Sequence, residues 1–103
     1  MDDIKQRIDK YIKNQEYTRA VEELTEQIAN NKKNVDLYIL RGDVYNIKQE
    51  YAKALNDYNK VLKLEPGNKI INSKVEMIKD ILKFQALDIY ASTNLNIDPW
   101  LDD

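Results

Sequence analysis

The chain repeats itself at a spacing of 34 residues. Without a gap, Asp2 aligns with Asp36, Arg7 with Arg41, Asp9 with Asp43 and Tyr11 with Tyr45. Gln15, Glu16 and Tyr17 align with Gln49, Glu50 and Tyr51, Ala20 with Ala54, and Asn34 with Asn68. Four more pairs keep their character: Arg19/Lys53, Val21/Leu55, Leu24/Tyr58 and Ile28/Leu62. A fixed period of this length marks a supersecondary unit that buries its apolar face only by stacking on its copies.

Each unit reads as two helices. Ile4, Ile8, Tyr11 and Ile12 recur at helical spacing, and Ala20, Val21, Leu24 and Ile28 do so after a break near Asn14-Gln15. The second unit repeats this with Tyr38, Arg41, Gly42 and Tyr45, then Tyr51, Ala54, Leu55, Tyr58, Val61 and Leu62. The run "EPGN" at 65–68 ends it: Pro66 cannot continue a helix, and Gly67 is expected to supply a positive φ. Residues 69–91 read as one long helix with an apolar face wider than a single stripe. Lys74, Glu76, Lys79, Asp80 and Lys83 are the residues to solvate it as an end cap.

The second unit resembles a tetratricopeptide repeat. That family has a 34-residue helix–turn–helix with a large residue at position 4, small ones at 8 and 20, aromatics at 11, 17 and 24, and proline at 32. Counted from Val35, the chain supplies Tyr38, Gly42, Ala54, Tyr45, Tyr51, Tyr58 and Pro66 there. The first unit is similar through Ile4, Tyr11, Tyr17, Ala20 and Leu24, but has Ile8 for the small residue and Lys32 for the proline. The resemblance implies an all-α fold of about two and a half hairpin repeats, at 1–34 and 35–68. The long capping helix at 69–91 completes that domain, and a tail with a short turn follows at 92–103.

Composition removes most chemistry. The 103 residues suit one domain. A net charge of -2, with both signs mixed along the chain, argues against a nucleic-acid or anionic-membrane surface. There is no cysteine, so disulfides are excluded and a reducing, cytoplasmic setting is expected. There is no histidine, the commonest general base and zinc ligand. The opening "MDDIKQRIDK" has no apolar signal core, and no run approaches the ~20 residues of a membrane span. Glu22-Glu23 and Asp2-Asp3 read as solvated helix faces rather than acid–base or metal pairs. No enzyme activity and no cofactor is expected.

Arg41-Gly42-Asp43 would suit an adhesion loop, but it falls within a helix. Glycine there costs about 1 kcal/mol relative to alanine. Close approach of the second helix, at Ala54, is the expected reason. The repeat tyrosines read as core; base stacking would need a basic groove beside them.

The resemblance also implies a concave groove lined by positions 2, 5, 9, 12 and 13 of each first helix. These are Asp2, Lys5, Asp9, Ile12 and Lys13, then Asp36, Ile39, Asp43, Asn46 and Ile47. By extension the last helix adds Ile70, Ser73, Met77, Asp80 and Ile81. Asp43 is the member of the tripeptide expected to face a partner. Family members that grip a chaperone's C-terminal carboxylate use a Lys/Asn pattern that only Lys5 matches, with Lys74 a conservative substitute; that role is not implied. The expected activity is binding of a protein or peptide segment in the groove. The alternative is a homodimer formed by the last helix and tail. In the tail, Leu95, Ile97, Trp100 and Leu101 are too apolar to stay free. They fold back on the last helix or dock into a neighbour, and Asp98-Pro99 can start a helical turn.

Overall fold

The structure, a computed structural model, describes residues 2–93. Five helices follow in order: α1 Asp2–Lys13, α2 Tyr17–Asn30, α3 Val35–Ile47, α4 Tyr51–Leu64 and α5 Lys69–Thr93. Each packs on its sequence neighbour. Short connections force antiparallel hairpins. The tail residues Leu95, Ile97, Trp100 and Leu101 lie outside the described residues.

The repeated identities have local causes. Gln15 and Gln49 adopt left-handed φ values of 60° and 62°. Each closes its helix with the same bond pair: Gln15 N–H to Ile12 C=O and Glu16 N–H to Tyr11 C=O, repeated by Gln49 to Asn46 and Glu50 to Tyr45. This double bond ends a helix by satisfying its last carbonyls. Asn34 and Asn68 cap the helices that follow. Their side chains accept from the N–H groups of Asp36 and Ile71, each at 3.0 Å.

The core runs along the hairpins through Ile8, Ala20, Leu24 and Ile28, then Leu37, Val44, Ala54, Tyr58 and Val61, and ends on Ile71, Val75 and Ile78 of α5. Tyr38 and Tyr58 are buried, while Tyr11, Tyr17, Tyr45 and Tyr51 pack half-buried against the core.

Both glycines differ from expectation. No glycine has positive φ, so Gly67 is not the left-handed residue of its turn, and nothing lies within 4 Å of where its Cβ would be. Gly42 is indeed a close approach, but to Tyr58 rather than Ala54. A Cβ on Gly42 would lie 2.7 Å from Tyr58 Cε1 and 2.9 Å from Cδ1. A flat ring reaches further across a helix pair than a methyl group. The first repeat fills the equivalent positions with Ile8 and Leu24, both fully buried. The repeats thus fill one space in two ways, glycine with tyrosine or isoleucine with leucine.

Candidate functional site

Two polar clusters tie the first helices of the repeats to their neighbours. Arg41 on α3 donates Nε to Asp57 Oδ2 at 2.8 Å and Nη2 to Oδ1 at 2.7 Å. Its Nη1 donates to Thr25 Oγ1 on α2 at 3.1 Å. The fork of the guanidinium matches a carboxylate edge-on, the strongest geometry for such a pair. Asp57 is almost fully buried, so its charge requires this partner. The hydrogen bond to Asp57 pushes Arg41 above its ordinary pKa. The first repeat has the same pair in the same register, Arg7 to Glu23 at 2.6 Å, but in a more exposed setting. Among the residues aligned at 34, Glu23 and Asp57 are both acids sixteen places after an arginine, a signal available in the sequence.

The second cluster centres on Asp43. Its carboxylate accepts a hydrogen bond from the Tyr58 hydroxyl and pairs with Lys74 of α5 at 2.8 Å. The Lys74 ammonium also stands 5.7 Å from the Tyr58 ring centre. Burial, followed by the hydrogen bond to Asp43, pushes the Tyr58 hydroxyl far above its usual range. α3, α4 and α5 are joined through these three side chains. Asp43, the member of the tripeptide expected to face a partner, is half-buried, and its charge is already shared within the chain. Lys74, expected to solvate the cap, is only half-buried and also bridges to α3.

The other expected groove residues divide by exposure. Lys5, Asp9, Lys13 and Asp36 are exposed. Ile12, Ile39 and Ile81 are half-buried, with Ile12 and Ile39 packed against the core, and Asn46 is half-buried. Ile47, Ile70 and Met77 stand out, at 48%, 71% and 59% exposed. Asp2 is described only as part of the α1 backbone.

The α5 surface goes beyond the expected list. Ile70, Met77 and Phe84 recur every seven residues, two helical turns, and so share a face with a drift of only ~20° per step. Phe84 is 67% and Leu87 52% exposed. The face buried on α4, through Ile71, Val75 and Ile78, lies about a third of a turn away. Two apolar faces on one helix explain the width read from the sequence. Among the described residues, no helix is long and apolar enough to cross a membrane.

With this geometry in place, the comparisons with known proteins become specific. Residues 35–68 match the family model described as tetratricopeptide repeat. Over 71 residues, 69% of the chain, it is 37% identical to FK506-binding protein 59 of Drosophila melanogaster. Over 71 residues, 68% of the chain, it is 30% identical to dynein axonemal assembly factor 4 of Mus musculus. The matched stretch spans 16% and 17% of the length of these relatives. Residues 35–68, with Gly42 against Tyr58 inside them, thus form a tetratricopeptide repeat, the unit of a family of protein-interaction modules.

Proposed function

We propose that the chain is a non-enzymatic scaffold whose first-helix surface binds an extended or helical protein segment. The observation that carries this reading is the exposure of Ile47, Ile70 and Met77 at the family's groove positions. Exposed aliphatic side chains at a partner-facing position gain roughly 25 cal/mol per Å² when a ligand covers them. Lys5, Asp9 and Asp36 supply flanking charges of both signs, which set orientation more than affinity. Asn46 offers a donor and acceptor for the backbone of an extended ligand. The ligand class is thus a segment with two or three apolar anchors spaced to meet α3 and α5. A cytoplasmic setting fits the lack of cysteine.

The test is titration of isotope-labelled chain with peptides selected from a random display library. Shift changes should concentrate on Asn46, Ile47, Ile70 and Met77, and Ile47→Glu should weaken binding at least tenfold with the helical signal intact. Changes confined to α2 and α4, or full affinity in Ile47→Glu, would remove the groove reading.

A further inference from the structure

α5 has 25 residues where α1 and α3 have 12 and 13. At 1.5 Å per residue, its second half runs about 18 Å beyond the length of a first helix. Residues 83–87 are all exposed, and Phe84 and Leu87 are the large apolar ones among them. Immediately after α5 the sequence supplies Leu95, Ile97, Trp100 and Leu101. An exposed apolar face and an apolar stretch of sequence thus adjoin.

We infer that segment 94–103 folds back in the same chain onto the second half of α5, with Trp100 against Phe84 and Leu87. Reach decides between positions on the helix. Seven residues separate Thr93 from Trp100, an extended span of at most ~25 Å. Along the helix axis, Leu87 and Phe84 lie roughly 9 and 13 Å back from Thr93, Met77 about 24 Å and Ile70 about 35 Å. Trp100 therefore reaches Phe84 and Leu87 with slack for a reversal. It reaches Met77 only fully extended, and Ile70 not at all. Asp98-Pro99, as N-cap and first helical residue, favours a turn that presents Trp100 and Leu101 together. An aromatic pair of this kind adds to the area it buries. The inference is independent of whether the groove takes a peptide.

Trp100 is the chain's single tryptophan, so its fluorescence reports this contact without a label. In the 103-residue chain, emission should be blue-shifted relative to the urea-unfolded chain, and acrylamide quenching several-fold weaker. Both should be unchanged on hundredfold dilution. Phe84→Asp with Leu87→Asp should return emission and quenching to the unfolded values while far-ultraviolet circular dichroism stays native, since both side chains are largely exposed. Ile70→Asp should change neither signal. Native emission equal to that of the unfolded chain overturns the inference. So does a blue shift lost on dilution together with a dimer, which assigns the face to a second copy. An effect of Ile70→Asp equal to that of the double variant overturns it too, because Ile70 is out of reach within one chain.

Discussion

Gly42→Ala tests whether the contact with Tyr58 governs the packing of the second repeat. On helix propensity alone the substitution should stabilise α3 by about 1 kcal/mol. The new methyl group would, however, sit 2.7 and 2.9 Å from ring carbons of Tyr58. That ring cannot swing away easily. It is fully buried, and its hydroxyl is held by Asp43, itself paired with Lys74. Overpacking of this kind costs about 1–3 kcal/mol. The clash should win, leaving Gly42→Ala about 1 kcal/mol less stable in urea unfolding followed by circular dichroism. In a Tyr58→Leu background, which brings in the first repeat's Leu24 solution, the clash disappears. The same substitution should then stabilise by about 0.5–1 kcal/mol, a coupling of about 2 kcal/mol between the sites. If Tyr58→Leu leaves too little stability to measure, trimethylamine N-oxide raises both proteins onto a measurable scale. A Gly42→Ala protein more stable than wild type, or additive effects of the two changes, would refute this reasoning.

Gly67→Ala should behave oppositely, gaining about 0.4–1 kcal/mol in the same assay, because its φ is not positive and no atom stands near the added methyl. Gln49→Gly should stabilise by about 0.5–1 kcal/mol, since a left-handed residue with a side chain carries a strain that glycine lacks; a loss of stability would show that Gln49 does more than end α3. Arg41→Ala should cost about 2–4 kcal/mol by stranding the buried carboxylate of Asp57, whereas Arg7→Ala, from a pair in which the arginine side chain is 47% exposed, should cost under about 1 kcal/mol. Tyr58 has its folded pKa raised, so its contribution is full below the unfolded value near 10 and is lost as pH climbs above it. Stability plotted against pH should therefore fall less steeply above about pH 10 in Tyr58→Phe than in wild type, and equal slopes would contradict the assignment.

The period of 34 determined the hairpins, their stacking and their helical faces, because helix formation and turn chemistry are local and each repeated residue marks a local need. Asn34 and Asn68 recur because both cap a helix, and Gln15 and Gln49 because both sit in a left-handed turn. Arg7 and Arg41 could have been read with Glu23 and Asp57 as repeated pairs, since the same spacing holds all four. What the sequence left undecided concerns side-chain contacts between helices. Which neighbour crowds Gly42 depends on how far a side chain reaches across the helix pair, and the ring of Tyr58 arrives before the methyl of Ala54. Whether Asp43 is free depends on Lys74, thirty-one residues away on another helix. The exposure of Met77, Phe84 and Leu87 depends on α5 turning Ile71, Val75 and Ile78 toward α4. A helical stripe is visible in one dimension, but which of two stripes is buried is decided only when a neighbouring helix covers one of them.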